Sequence, residues 1–332
     1  RGMTAPLLQV RDARVHFPAG GWLRAAPPVR AVDGVSLTLH AGETLAVVGE
    51  SGCGKSTLAR AVLGLQRLTS GAVLFDGAPV PDRPGPARSA FARAAQLVFQ
   101  DPVAALNPRM RIDAALAEPL QTHAPELARP AREARVADVL AQVGLDAGIA
   151  RRFPHEVSGG QAQRVGIARA MILRPRLLVC DEPVASLDVS IQAQILSLLR
   201  ALRAEHGVSM LFISHDLSVV RHIADRVMVM YLGRAMEVGP VASVLGRPLH
   251  PYTRALIDAV PRPDPATERT RPRILLGGDL PSPSAPPSGC RFRTRCPLAE
   301  AGCAAVEPAF APAGPDGHEV ACPVVLRTGA VA

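Results

Sequence analysis

Lysine is almost missing from this sequence: Lys55 is the only one among 37 Lys and Arg residues. In a chain whose default cation is arginine, one retained lysine points to a position that needs a compact ammonium on a flexible stem. Aromatic residues are also sparse, at 3 %, so the core must be built from Leu, Val, Ile and Ala. No window offers the roughly 18 uninterrupted apolar residues that a membrane-spanning helix needs, and the apolar stretch Met228–Leu232 is far too short. The N-terminal stretch shows no charged region followed by an apolar run, which predicts no secretory signal and a cytoplasmic location. Any membrane contact is then expected to be peripheral.

What the sequence does contain is apolar bulk. Hydrophobic residues make up 48 % against 20 % charged, which describes a globular chain with ample core. A length of 332 residues allows one large domain plus a smaller one. The formal charge of +8 suits an anionic partner, nucleic acid or a lipid face; the Arg, Ala and Pro bias of a GC-rich genome accounts for it equally well.

From about Leu8 to Leu245, short apolar β-type runs alternate with helical stretches, the pattern of an α/β domain. Thr44–Val48 reads as a buried strand feeding a glycine-rich turn, and Lys55–Leu65 as the helix that follows. Leu177–Cys180 and Met210–Ile213 read as further strands. Between them Ile191, Ile195, Leu198, Leu199 and Leu202 recur at helical spacing and predict a helix over Ser190–Glu205. Pro79–Pro86 reads as a loop. Between Asp101 and Arg174 the pattern turns mainly helical, most clearly over Arg132–Val143, which predicts a helical subdomain at about 101–174. After His250, proline-rich segments at Pro261–Pro265 and Leu280–Pro287 and four cysteines predict a separate module, its boundary near Gly246.

Gly49-Glu50-Ser51-Gly52-Cys53-Gly54-Lys55-Ser56 fits G-x-x-x-x-G-K-[ST], with Thr57 following on the helix. Glycines let the backbone wrap closely so that its N–H groups point at phosphate oxygens. Lys55 is placed to reach the β- and γ-phosphates, and Ser56 to offer its hydroxyl to Mg²⁺. A glycine-rich turn with an incidental lysine is the bland alternative; the strand before and the helix after tell against it. Leu177-Leu178-Val179-Cys180-Asp181-Glu182 is an apolar strand ending in two acids. Its tip belongs at the phosphate site, where Asp181 can hold Mg²⁺ through water and Glu182 can orient and deprotonate the attacking water.

Val157-Ser158-Gly159-Gly160-Gln161 places a natural N-cap, Ser158, ahead of a helical pattern carried by Ile167, Met171 and Ile172. At this stretch the sequence closely resembles the ABC (ATP-binding cassette) ATPase family, from Leu8 to about Leu245, with the separate motifs in the family's order. The resemblance implies a P-loop ABC ATPase domain over residues 5–246. It also implies head-to-tail pairing, in which Ser158, Gly159, Gly160 and Gln161 act on the ATP held by the partner subunit. By the same resemblance Gln100, in Phe99-Gln100-Asp101-Pro102, touches Mg²⁺ and water and communicates with the membrane subunit. Asp188, in Ser186-Leu187-Asp188, belongs to a loop crossing the dimer interface; His215 contacts the γ-phosphate, and Phe17 stacks on adenine.

His250-Pro251-Tyr252-Thr253-Arg254-Ala255-Leu256, Gly278-Asp279-Leu280-Pro281-Ser282-Pro283 and Gly289-Cys290-Arg291-Phe292 through Cys296-Pro297 look like the C-terminal extension of dipeptide and oligopeptide permease ATPases, here residues 247–332. Of the two ATPase types in that group the chain resembles the second. The resemblance implies a paralogous ATPase partner in a heterodimer, two transmembrane permease subunits and an extracytoplasmic substrate-binding protein, at the cytoplasmic face of a bacterial membrane. It leaves the cargo open among dipeptides, oligopeptides, nickel and other small solutes. ABC ATPases acting on nucleic acid or ribosomes generally carry two cassettes or long coiled-coil insertions; one phosphate loop, one signature and no long heptad run give no expectation of a nucleic-acid partner.

Cys53 and Cys180 lie inside the ATPase motifs. The other cysteines, Cys290, Cys296, Cys303 and Cys322, are spaced C-x₅-C-x₆-C-x₁₈-C in a module with little core, which suggests a staple. A reducing compartment argues against disulfides. Zinc modules favour tight C-x₂₋₄-C pairs, absent here, whereas four thiolates from one loop-rich segment can hold an iron–sulfur cluster, as the related permease ATPases suggest. A [4Fe–4S] cluster is the leading expectation, with zinc and no metal as alternatives.

Overall fold

The computed structural model describes residues 5–19, 26–260, 277–314 and 317–329; the predicted Pro261–Pro265 segment lies outside them. The strands in chain order are β1 (Leu8–Ala19), β2 (Ala26–Leu39), β3 (Thr44–Val48), β4 (Ser70–Phe75), β5 (Ala78–Pro79), β6 (Ala95–Val98), β7 (Leu177–Asp181), β8 (Ser209–Ser214), β9 (Arg226–Tyr231), β10 (Arg234–Pro240), β11 (Ala311–Pro312) and β12 (Glu319–Val320). The helices are α1 (Lys55–Val62), α2 (Pro86–Ala94), α3 (Ile112–His123), α4 (Arg129–Gln142), α5 (Gly159–Met171), α6 (Val189–His206), α7 (Leu217–Ile223), α8 (Val241–Gly246), α9 (Pro251–Ala259) and α10 (Pro323–Thr328).

An eight-stranded sheet in the order β11-β12-β10-β9-β3-β8-β7-β6 forms the centre. β6, β7, β8, β3 and β9 run parallel. Their apolar runs are continuous because both faces are covered: every residue of β3, β7 and β8 is buried. Leu178, Cys180, Met210 and Phe212 face one core, shared with Ile112, Leu116 and Leu140 of α3 and α4 and with Ile167 of α5. Leu177, Val179, Leu211 and Ile213 face the opposite core, with Leu58 of α1 and Leu8 and Leu39 of a second sheet. That second sheet, β2-β1-β4-β5, is antiparallel. Register shifts interrupt the β1–β2 pairing at several points, so the two-residue alternation that would have announced it in the sequence is broken.

The expected elements shift mainly at their ends. α1 stops at Val62, short of the predicted Leu65, because Gly64 turns into the left-handed region at φ +62°. The predicted proline-rich loop begins where Pro79 closes β5 and ends where Pro86 opens the first turn of α2. Among the described residues no helix is long and apolar enough to cross a membrane.

The C-terminal region does not stand apart from this sheet. β12 pairs antiparallel with β10, and β11 with β12. Both tyrosines of the chain meet Phe292 in an edge-to-face and tilted cluster, Tyr231–Tyr252 at 4.7 Å and each to Phe292 at 5.3 Å. Beside it Glu237 of β10 is fully buried, accepting the N–H groups of Leu249 and His250, both at 2.9 Å, and pairing with His318 Nε2 at 2.7 Å. Burial pushes His250 down to about 4 against the pull of Glu237, so its neutral Nδ1 accepts the Tyr252 N–H at 3.1 Å. One carboxylate thus joins β10, the start of α9 and the tail. Glu237→Ala strands three buried donors and should lower stability by about 3 kcal/mol or more, since each costs about 1–3 kcal/mol unpaired. The check is denaturant unfolding, with protease sensitivity of the tail followed alongside; an unchanged midpoint would show that the three donors find other partners.

Candidate active site

Four neighbouring parallel strands, β3, β8, β7 and β6, end at the same edge of the sheet. The loop Gly49–Gly54 follows β3, His215 follows β8, Asp181 ends β7 with Glu182 next to it, and Gln100 lies just beyond β6. Parallel sheets present their ligand sites at such carboxyl ends.

The loop is squeezed between two walls. Gly49 adopts φ +151° and Gly54 φ +103°; a Cβ on Gly49 would run into the carbonyl oxygen of Met230, and one on Gly54 into that of Ala31. Only glycine gives a backbone this close to its neighbours. Lys55, 4 % exposed, donates from Nζ to the carbonyls of Gly49 (2.9 Å) and Glu50 (3.1 Å). Two partners reach the loop from far along the chain. The Glu50 N–H donates to Tyr252 Oη at 2.9 Å, and the Glu50 carboxylate takes Arg295 Nη1 at 2.9 and 3.2 Å. Tyr252 and Arg295 both lie within the C-terminal motifs, but nothing local ties either to the loop, because the separations are 202 and 245 residues.

Ser56 Oγ donates to Asp181 Oδ1 at 2.8 Å. Burial raises the Asp181 carboxyl, while the Ser56 bond and the Arg60 and Lys55 charges oppose the rise. Ser56, Asp181 and nearby Gln100 offer hard oxygen donors that fit Mg²⁺, which keeps several waters and leans on substrate phosphates rather than a closed protein cage; bound there, it would neutralise phosphate charge. Glu182 sits at φ +49°, an uncommon backbone for its type, held by its N–H to Ile213 O at 3.1 Å. One of its oxygens, Oε2, accepts Gln100 Nε2 at 3.1 Å and lies 3.2 Å from His215 Nδ1. A carboxylate held in this way can orient water and accept its proton. Burial raises the thiols of Cys53 and Cys180, which keeps both protonated and consistent with packing.

The remaining predicted residues lie elsewhere. Ser158 caps α5 in a reciprocal box with Gln161: Gln161 N donates to Ser158 Oγ at 3.3 Å, and Ser158 N to Gln161 Oε1 at 3.0 Å. The N–H groups of Gly159 and Gly160 stand in the first turn, where helix geometry supplies no carbonyl partner. Ser158 and Gly159 are exposed, as is Asp188 at the start of α6, beside Val189 at 81 % exposure. Phe17 is exposed on β1 opposite Val29. Thr57, Ser51 and Gly52 stay with the loop and the first turn of α1, Thr57 half-buried and the other two exposed.

The tail cysteines are all free. Cys290 packs with Phe292 and Tyr252, Cys322 with Val320 and Val324, and Cys303 touches both groups. Burial raises the Cys290, Cys296 and Cys322 thiols, Cys296 to about 11, and the neighbouring thiols raise them further. Among the described residues, no three His, Cys, Asp or Glu side chains form a set that could hold a metal ion. A zinc ion and an iron–sulfur cluster would alike need four thiolates gathered on one centre, and the described residues do not assemble such a set.

Two family descriptions match the chain: "ABC transporter" over residues 32–185 and "Oligopeptide/dipeptide transporter, C-terminal region" over residues 236–303. The chain is 52 % identical over 324 residues to the oligopeptide transport ATP-binding protein OppF of Escherichia coli K12, covering 95 % of each. It is 47 % identical to the di/tripeptide transport ATP-binding protein DppF of Pseudomonas aeruginosa, covering 95 % of this chain and 97 % of that one. Among solved structures it is similar to the dimeric post-hydrolysis state of the ATP-binding cassette MJ0796 bound to ADP and Pi. There the TM-score is 0.64 at 26 % identity, covering 70 % of this chain and 98 % of that one. CbiO1 from Clostridium perfringens, part of the ABC transporter complex CbiONQ, gives 0.63 at 26 % identity, covering 73 % and 91 %. The chain belongs to the ABC transporter ATP-binding family, in the group that carries the oligopeptide/dipeptide C-terminal region, and it is an ATPase.

Proposed function

We propose that this ATPase powers a bacterial importer of peptides from the cytoplasmic face of the membrane, working on two permease subunits supplied by an extracytoplasmic binding protein. The likeness to peptide-transport ATP-binding proteins across 95 % of the chain, tail included, carries this reading. It also leaves the basic charge to lipid headgroups or composition rather than to nucleic acid. Peptides stand ahead of nickel or other solutes as cargo for the same reason. Residues 5–246 would then form the ATPase unit, with its helical subdomain at about 101–174, and 247–332 its tail.

In this proposal Gly49 to Thr57 bind ATP, Phe17 stacks on its base, and Ser56, Gln100 and Asp181 hold Mg²⁺. Glu182 is the general base, oriented by Gln100 and His215. Glu182→Gln keeps the shape of the site but removes the proton acceptor, so ATP binding should persist while hydrolysis falls by roughly 10²-fold or more. Single-turnover hydrolysis and nucleotide affinity, measured in a complex whose other ATPase is equally disabled, check this. Turnover near the original rate would remove Glu182 from the role.

The exposed signature supports pairing. Ser158, Gly159, Gly160 and Gln161 present a helix N-terminus outward, suited to the γ-phosphate on another subunit, and exposed Asp188 would lie at the same interface. We propose a paralogous partner, so that Ser158→Ala slows hydrolysis of the nucleotide held by the partner's loop and leaves nucleotide affinity at this chain's own loop unchanged. A homodimer of this chain that sustains full peptide uptake with the permease would overturn the heteromeric pairing.

For the tail we propose an iron–sulfur cluster on Cys290, Cys296, Cys303 and Cys322. Support comes from four thiols in one small module, with Cys303 touching the surroundings of both Cys290 and Cys322. Thiolate is the donor that such clusters take. Anaerobically purified protein should absorb near about 400 nm and carry iron; colourless, iron-free protein with four free thiols and a folded tail would overturn it.

A further inference from the structure

The segment from Cys290 to Cys296 reaches back onto the ATPase sheet at two ionic points. Arg291 is buried against Asp33 and the Leu232 carbonyl. Four residues later Arg295, its side chain 11 % exposed, meets the Glu50 carboxylate within the phosphate loop. The same guanidinium lies 5.9 Å from the Tyr231 ring centre and 3.5 Å from its hydroxyl. Tyr231 in turn packs edge-to-face on Tyr252, whose hydroxyl receives the Glu50 N–H. Glu50 is therefore gripped at its backbone by Tyr252 and at its side chain by Arg295, both from beyond the strands that make the ATP site.

The electrostatic setting gives this grip a purpose. The loop exists to gather the negative charge of a triphosphate, and Lys55 is its ammonium. A carboxylate in the same loop, five residues before that lysine, works against both unless it is neutralised. Arg295 supplies the neutralising charge at hydrogen-bond distance in a largely buried position, where screening by salt is weak. Arg295 Nε is itself buried with no hydrogen-bond partner among the described residues, so releasing Glu50 would leave the guanidinium still poorer in partners.

We propose that Arg295 is a positioning residue of the ATP site: by holding and neutralising Glu50 it sets the affinity of the phosphate loop for nucleotide, which makes the C-terminal tail a working part of that site. This rests on the loop binding ATP, and the experiment keeps the two claims apart.

The full chain is compared as wild type, Arg295→Met, Arg295→Lys and the double variant Arg295→Met with Glu50→Gln. ATP affinity is measured directly, KM and kcat in the assembled complex, and thermal stability beside them. Arg295→Met leaves Glu50 charged and free, and should weaken ATP binding by about tenfold, chiefly through KM. Arg295→Lys keeps the charge and should stay within about threefold of wild type. Adding Glu50→Gln to Arg295→Met removes the unpaired charge and should restore most of the affinity. A purely structural role for Arg295, or damage to a cluster at adjacent Cys296, would lower stability without rescue by Glu50→Gln. That result, or unchanged affinity in Arg295→Met, overturns the proposal. Failure of the wild-type chain to bind ATP would instead overturn the ATP reading beneath it.

Discussion

The close approach of the phosphate loop to the carbonyl oxygens of Ala31 and Met230 is the constraint on which the rest of the molecule depends. It brings the antiparallel sheet and the central sheet to bear on one short stretch of backbone, through β2 on one side and β9 on the other. With that stretch immobilised, α1 starts from a left-handed Gly54, and its first turn delivers Lys55 and Ser56 beside the tip of β7. The Ser56–Asp181 hydrogen bond is a consequence of this placement.

Charge in the site is arranged by burial as much as by pairing. Lys55 and Asp181 are both withdrawn from water, at 4 % and 7 % exposure, and each is answered by oriented polar groups instead of a single counter-ion. Such a site has little slack: a phosphate bound there would have to displace the loop carbonyls from Lys55. Glu182, in strained backbone between Gln100 and His215, is less buried than Asp181 and has both neighbours on a single oxygen.

Much of this was legible in the residues. β3, β7 and β8 could be read because strands covered on both faces are written as unbroken apolar runs, and α6 because its apolar positions recur at helical spacing. The loop, the acidic strand end and the N-cap at Ser158 are local patterns whose chemistry follows from adjacency. What could not be read was whatever depends on distant pairing. The antiparallel sheet is hidden by its register shifts, and Tyr252 and Arg295 carry no mark of the loop they touch. The cysteines show the limit from the other side: their spacing suggests a bound group, but apolar packing about Phe292 and Val320 also accounts for where they lie.

The pairing of β12 with β10 reaches beyond local architecture. Without it, β10 would end the sheet as a seven-residue rim of unpaired amides and carbonyls, the kind of border along which separate molecules stack. β12 and β11, two residues each, cover part of that border and are too short to offer a new one. The tail therefore helps keep copies of this chain from zipping together along β10.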